Sequence, residues 1–372
     1  MRPIIKHTFG VAARIASGLL LVCVILGAWA GWINPDTWAM PSVLCLVFPI
    51  LWFTAFGVGL LWTFLTKEKA TATVCGACLL VTLPQLLNVS PISFPTKPHD
   101  DEHTFKLLTY NMANAINMDS INPGYSRSVS YVINSGADIV CLQEYFDLKH
   151  LRKIGSLITK AQIDSLKQIY PYQLYREDVE SRIISKYPIE YVACGSWRNK
   201  RYFNFMIGRI DIDGYKLHIM SVHLSSYRLN KQESRIAATL KQSPEDILDE
   251  EQNRSLYRKL REAFVTRAHV AEDVVEIVDS ISGPLIVCGD FNDVPNSYVW
   301  RTIKDTGLDD AYTQAGFGPM ITFNADNFLF HIDQILYRPD VGMRPYDITR
   351  GHIRSSDHYP VIADFAISRD AP

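Results

Sequence analysis

The chain has 372 residues, more than one ordinary domain needs, with 48% hydrophobic residues and a formal net charge of −2. That length suits one large core plus an appendage. Its 37 basic and 39 acidic residues nearly cancel, so composition shows no surplus of positive charge for gripping long stretches of duplex DNA. The charges are unevenly placed: residues 1–101 hold six Lys/Arg and four Asp/Glu, and the remainder is mildly acidic.

The N-terminal third carries three apolar stretches. Residues 15–35, 37–66 and 70–96 contain no charged residue, and Asp36 and Lys69 lie just outside them. Each is long enough to cross about 30 Å of hydrocarbon as a helix. Trp29, Trp32, Trp38 and Trp62 fall near span ends, where indoles favour the interface. A cleaved signal peptide would need a small-residue cleavage site and no following spans; two further apolar segments follow the first. Pro84, Gln85 and Asn88 make the third span the weakest, and the compartment of everything after it depends on its crossing. Arg2, Lys6 and Arg14 precede the first span, and Lys67 and Lys69 separate the second from the third. The positive-inside rule then places the N-terminus in the cytoplasm and the chain after about residue 95 outside it. The expected organisation is a membrane region at 1–92, a linker at 93–104 and a folded domain at 105–368, in a multi-pass protein of a bacterial inner membrane with the folded domain periplasmic.

The seven cysteines imply no disulfide framework. Cys23, Cys45, Cys75 and Cys78 lie in the apolar third, and the redox-like spacing of Cys75-Gly-Ala-Cys78 reads as membrane packing. Cys141, Cys194 and Cys288 sit in or beside β-like runs, as small buried residues do.

Beyond the linker, β-like runs occupy 105–111, 139–143, 203–212, 216–223, 285–288, 334–337 and 361–365. Asp213-Gly214 between two of them predicts a hairpin turn. Helical patterns cover 126–135, 148–169, 253–280 and 297–306, with Pro295 and Asn296 as an entry to the last and Asn296 as its cap. The charged stretch 228–262 reads as an inserted loop and helix with a solvated face. Strands and hairpins mixed among helices predict an α/β layered domain with mixed sheets.

Chemistry-bearing side chains recur at the ends of these runs. Asn111 ends Lys-Leu-Leu-Thr-Tyr-Asn, Glu144 follows Val-Cys-Leu-Gln, and His223 ends Ile-Met-Ser-Val-His. Asp290 and Asn292 follow Leu-Ile-Val-Cys-Gly, Asp333 opens Asp-Gln-Ile-Leu-Tyr, and Asp357-His358 precede Tyr-Pro-Val-Ile-Ala-Asp-Phe. Each has a plain structural explanation by itself: a solvated turn carboxylate, an Asx turn, a satisfied histidine. As a set they place oxygen ligands and imidazoles where strand ends can converge. Oxygen ligands suit a hard cation such as Mg²⁺, and the His/Cys spacing of a zinc site is missing.

Gly289-Asp290-Phe291-Asn292 and Ser356-Asp357-His358 in combination, with Leu142-Gln143-Glu144, Ser221-Val222-His223-Leu224 and the run Arg182-Ile-Ile-Ser-Lys-Tyr-Pro-Ile189, resemble the endonuclease/exonuclease/phosphatase superfamily, also called the deoxyribonuclease-I-like fold. The resemblance spans about 105–366 with the motifs in the family's order. It implies a four-layer α/β sandwich with two packed mixed β-sheets and an Mg²⁺-dependent phosphate-ester hydrolase, with Mn²⁺ as a substitute. By the same resemblance Asn111, Glu144 and Asp357 belong to the metal, Glu144 foremost. Asp290 orients or deprotonates the attacking water, Asn292 binds the phosphate, and His358, oriented by Asp333, contacts it or serves as acid/base partner. His223 stabilises the pentacoordinate phosphorus or assists the leaving group. One departure concerns His331-Ile332-Asp333, where many relatives have Arg before Ile-Asp; His331 cannot make the bidentate contact an Arg would.

The fold does not choose the substrate. A lipid head group, a nucleotide or a nucleic acid all present the required phosphate ester. The lipid bilayer is the other expected partner, and no obligate protein partner is evident. A membrane-tethered endonuclease or exonuclease with the same site is the first alternative. A catalytically inactive binding module is the alternative of another class, and the joint presence of Glu144, Asp290, Asn292, Asp333 and His358 speaks against it.

Overall fold

The computed structural model describes residues 3–65, 69–118, 123–145, 156–195, 203–226, 250–325, 329–339 and 341–368, the side chains of 3–9 and 250–253 excepted. Helices α1 (Pro3–Ala28), α3 (Phe48–Leu65) and α4 (Lys69–Val89) are each long and apolar enough to cross a membrane. A short helix α2 (Met40–Leu46), with Pro41 in its first turn, splits the second apolar stretch, so the long helix there begins only at Phe48. Leu21, Val24, Phe48, Ala55, Cys75, Leu79 and Leu86 form the contact between the helices. Indole N–H groups add polar ties: Trp62 donates to Ser17 Oγ at 2.9 Å and Trp52 to Thr82 Oγ1 at 3.1 Å. Such bonds give buried indole N–H groups a partner between apolar helices. Pro84 lies inside α4, and the helix continues through it to Val89.

Twelve strands follow: β1 (Glu102–Asn111), β2 (Ile139–Gln143), β3 (Tyr172–Arg176), β4 (Val179–Ser185), β5 (Ile189–Gly195), β6 (Asn204–Ile212), β7 (Tyr215–His223), β8 (Leu285–Asp290), β9 (Asp309–Asp310), β10 (Asp333–Tyr337), β11 (Met343–Arg350) and β12 (Val361–Ser368). They form two six-stranded sheets, ordered β11-β12-β1-β2-β4-β3 and β5-β6-β7-β8-β10-β9. Each is mixed: β1–β2 and β7–β8 are the parallel pairs, and the other described pairings are antiparallel.

Period-2 alternation decides which side chains meet. On β1, Phe105 and Leu107 face the second sheet, where Met206, Leu217, Ile219, Ile286 and Ile335 meet them. Leu108 and Tyr110 face the other way, against Val129 and Val132 of α5 (Arg127–Asn134) and Leu166 of α6 (Lys160–Ile169). On the second sheet Phe205, Met220, Val222, Leu285 and Val287 face outward against Val270 and Val274 of α7 (Glu250–Asp279) and Val299 and Ile303 of α8 (Tyr298–Lys304). The order is helix, sheet, sheet, helix: a four-layer α/β sandwich.

The expected hairpin is present. Asp213 and Gly214 adopt φ of 50° and 99° and join β6 to β7 at Ile212 and Tyr215, as a two-residue turn between twisted strands requires. The helix expected over 148–169 begins at Lys160; residues 146–155 lie outside the described set, as do 227–249 of the charged stretch. Strands β3, β5, β9 and β11 carry no clean alternation and had no counterpart in the sequence reading. Asn296 does not cap α8: Ser297 does, accepting from Trp300 N at 3.2 Å, while Asn296 takes φ of 70° and turns elsewhere.

Candidate active site

The two parallel strand pairs end side by side. Asn111 stands opposite Gln143 where β1 and β2 finish, and His223 opposite Asp290 where β7 and β8 finish. Asp333 enters β10 opposite Asp290. The sheets are packed face to face, so the six groups Asn111, Glu144, His223, Asp290, Asp333 and His358 converge on one cleft.

Asp290 is at its centre, with a side chain only 2% exposed. Its Oδ2 accepts from Asn111 Nδ2 at 3.0 Å and lies 3.7 Å from His223 Nε2 and 3.5 Å from His358 Nε2. Its Oδ1 accepts from the backbone N–H of Asn292 at 2.8 Å. Gly289, just before it, has φ of 137°, and a Cβ there would fall 2.0 Å from the Val222 carbonyl oxygen. Only glycine lets β8 approach β7 this closely, which accounts for the first residue of the motif.

Asn111 also donates to Glu144 Oε1 at 3.0 Å, while its own Oδ1 accepts from Ala113 N at 3.1 Å. As placed, its amide bridges two carboxylates with N–H groups. Glu144 receives Asn114 Nδ2 on its other oxygen at 3.4 Å. Glu144, at φ 51°, and Asn292, also at φ 51°, hold left-handed backbone, which costs a non-glycine residue of order 1–2 kcal/mol and persists where surroundings over-determine it. Burial raises the Glu144 carboxyl above its ordinary range; His223 and the Asn111 amide oppose this, and the Asp357 charge adds to it.

The two histidines are oriented alike. His358 Nδ1 donates to Asp333 Oδ2 at 2.8 Å, and His223 Nδ1 to Glu180 Oε1 at 2.6 Å, leaving both Nε2 atoms toward Asp290. Burial alone would lower the pKa of each ring. The facing carboxylates outweigh it, Glu180 first for His223 and Asp333 first for His358, and push them up to about 9 and about 10. Asp333 is itself raised to about 6, by burial first, with His358 holding it lower than burial alone would. Its backbone N–H is tied to Thr322 Oγ1 at 3.0 Å. Ser356 Oγ donates to Asn111 O at 2.9 Å and accepts from His358 N at 3.1 Å, which fastens the Ser-Asp-His turn to the end of β1.

Asn292 Nδ2 donates to Leu224 O at 2.9 Å, leaving its second N–H for another acceptor. Asp293, next to it, pairs with Arg267 at 3.6 Å, both essentially buried, and Arg267 also donates to Ser225 O at 3.0 Å. Removing one partner of such a pair costs about 3–5 kcal/mol. His331 takes no part in the cleft: it is buried edge-on to Tyr312, and burial lowers its pKa to about 4, so it stays neutral.

Sequence reasoning missed Glu180, Arg267, Thr322 and Asn114. Glu180 sits among Glu177 and Asp178 in what reads as a solvated charged turn. Only the pairing of β2 with β4 carries it inward, where Asn204 Nδ2 donates to it at 2.5 Å.

A family model described as the endonuclease/exonuclease/phosphatase family matches residues 108–358. The chain belongs to the endonuclease/exonuclease/phosphatase family. Members of this family are metal-dependent phosphoric ester hydrolases, and that is the enzyme class of this chain. A second model, described only as a domain of unknown function, matches residues 10–89. Comparison with curated proteins gives no match. Among solved structures, the fold is similar to humanized D. rerio TDP2 carrying 14 mutations (16% identity, 70% of this chain, 98% of that one, TM-score 0.45). It is similar to sphingomyelinase C from Streptomyces griseocarneus (18%, 70%, 99%, 0.43). It is also similar to an endonuclease/exonuclease/phosphatase family protein from Bacteroides thetaiotaomicron (15%, 72%, 98%, 0.43). At these scores none bears on the substrate.

The donor set fits the family's divalent metal. Glu144 and Asp357 bring carboxylate oxygens to one side of the cleft, beside Asn111, where the described cations are two imidazoles. Asp290, Asp333 and His358 also place ligand atoms within 4.8 Å of one another. That cluster includes an imidazole already hydrogen-bonded to Asp333 at 2.8 Å, whereas the Glu144 side offers oxygen donors, which suit a hard cation better.

Proposed function

We propose that this chain is an Mg²⁺-dependent phosphate-ester hydrolase, anchored in a bacterial inner membrane with its catalytic domain, 105–368, on the periplasmic side. The observation that carries the reading is the convergence of four polar groups on Asp290: its Oδ2 meets Asn111, His223 and His358, and its Oδ1 the Asn292 N–H. Glu144, with Asp357 and Asn111, would hold the cation; Asn111 contributes oxygen only if its amide turns over. A bound divalent cation supplies neutralisation of charge on the phosphoryl oxygens.

The chain's own residues do the rest. Asp290 orients the attacking water and is placed to take its proton. The free N–H of Asn292 and the Nε2–H of His358 donate to phosphoryl oxygens, and donors fixed before reaction cost no reorganisation in the transition state. Asp333 and Glu180 keep each ring in one orientation and favour its imidazolium. His223 is placed to hand a proton to the leaving alkoxide.

The test uses the full chain in detergent with Mg²⁺, against bis-p-nitrophenyl phosphate, p-nitrophenyl phosphate, plasmid DNA and phospholipid vesicles. Hydrolysis that disappears in Glu144→Gln and in His358→Ala supports the reading. Hydrolysis that survives both removes the site assignment, and cleavage of plasmid DNA alone selects the tethered nuclease. For the anchor, a C-terminal alkaline phosphatase fusion is expected to be active; an inactive fusion overturns the periplasmic placement.

A further inference from the structure

The segment from Asp290 to Arg301 joins the catalytic end of β8 to α8, and it is held from two sides. On one side the catalytic domain secures Asn292 through Asp290 and the Leu224 carbonyl, and Asp293 through Arg267. On the other side the hands belong to the apolar helical region. Asn88 of α4 donates to Asn296 Oδ1 at 2.7 Å, and Asn296 Nδ2 donates to the Gln85 carbonyl at 2.7 Å. Cys45 Sγ lies 3.6 Å from the Pro295 carbonyl oxygen. Asn34 donates to Tyr298 at 3.3 Å, and the Arg301 guanidinium lies 3.4 Å over the Trp32 ring. Gly31 permits this approach: a Cβ there would lie 2.9 Å from Asn296 O and 3.0 Å from Arg301 Cβ.

The apolar contact reaches the chemistry by a second route. Ala30 and Cys45 pack with Val294 and Ile332, joined by Phe323 and Phe330. Ile332 immediately precedes Asp333, and the Phe323 ring stands edge-on to His358 at 5.0 Å. Both segments that orient the Asp290–His358 pair therefore rest on the helical region. Two asparagines four positions apart, Asn292 and Asn296, keep left-handed backbone, and such conformations need external constraint. Asn88 and the Gln85 carbonyl supply it for the second. A polar side chain in an otherwise apolar helix is expensive unless bonded, and these contacts account for Asn88.

We infer that the helical region 10–89 is a positioning element of the phosphoesterase site, with Asn88 and Trp32 as positioning residues that act through the Asn296–Arg301 turn on Asp290 and Asn292. The inference rests on the site reading above. Glu144 lies on the other sheet, so metal binding is expected to be insensitive to these contacts.

The experiment uses the full chain in nanodiscs, with bis-p-nitrophenyl phosphate as substrate and Mn²⁺ titrated separately for binding. Asn88→Leu raises the apolarity of α4 and so favours its insertion. It is expected to lower kcat about tenfold at unchanged KM and unchanged Mn²⁺ affinity, since small misplacements of reacting groups are costly. Trp32→Ala, at a largely exposed side chain, is expected to lower kcat about two- to fivefold. Asn296→Gly, which keeps the positive φ, combined with Asn88→Leu should lose no more than the worse single variant. Wild-type kcat in Asn88→Leu and Trp32→Ala, additive losses in the double variant, or a loss confined to KM or to Mn²⁺ affinity overturns the inference. If Asn88→Leu does not fold, Trp32→Ala decides. Activity surviving in Glu144→Gln would instead sink the underlying site reading, so the two failures are distinguishable.

Discussion

His358 and Asp333 meet at 2.8 Å deep in the cleft, with Asp333 fully buried and the far ring nitrogen 3.5 Å from Asp290. One carboxylate thus sets the tautomer and charge of the ring that faces another. Asp333→Asn keeps the shape and removes the charge. It should lower kcat by about 10²–10³ at little change in KM, within the range expected for losing a positioned acid/base group. Steady-state kinetics on an aryl phosphodiester checks it, and a loss confined to KM would contradict the assigned role.

Glu144 meets Asn111 and Asn114 through two amides and lies 3.9 Å from His223. Glu144→Gln replaces the anionic donor by a neutral one of the same size. We expect Mn²⁺ affinity to fall at least about tenfold and kcat by about 10² or more. Calorimetric titration reads the first independently of turnover; unaltered metal affinity would remove Glu144 from the metal site.

Glu180, which the sequence reading passed over, bonds His223 Nδ1 at 2.6 Å. Glu180→Gln retains a hydrogen-bond acceptor and drops the negative charge that holds the ring protonated. The expected result is a fall of about tenfold or more in kcat, greater for substrates with poor leaving groups than for p-nitrophenyl esters. An equal loss across leaving groups would assign His223 to charge neutralisation alone.

His331 gives a stability prediction with a definite sign. Unfolded, its ring takes up a proton near pH 6.5; folded, only near pH 4. Between those values the unfolded chain binds the extra proton, so acidification through that window destabilises the fold, by at most about 3 kcal/mol. Asp310, buried and raised to about 6, contributes with the opposite sign. The comparison of wild type with His331→Phe cancels it. The wild-type denaturant midpoint should fall relative to the variant's between pH 7 and pH 4.5, and parallel pH profiles would refute the assignment.

Local patterns made much of this legible in the sequence alone. Apolar β-like runs marked β1, β2, β6, β7, β8, β10 and β12, and uncharged runs marked the three long helices. Asp213-Gly214 announced its own turn, and the motif residues stood at strand ends. Strands β3 and β5 were not legible, because their faces are mostly part-exposed and pairing, not pattern, defines them. Asn296 read as a helix cap because its type and position suit one; a partner 208 positions away claims it instead.

The sequence by itself determined the reaction class, through strand-end motifs that resemble the family's, and the apolar helices, through long uncharged runs. Both are properties of short windows. Only the tertiary structure decided that Glu180 orients the His223 imidazole toward Asp290, in the way the resemblance implied for Asp333 and His358, and that Asn88 reaches the turn behind Asp290 and Asn292. Those contacts join residues 25 to 208 positions apart. Their cause is packing of whole sheets and helices, which no local window contains.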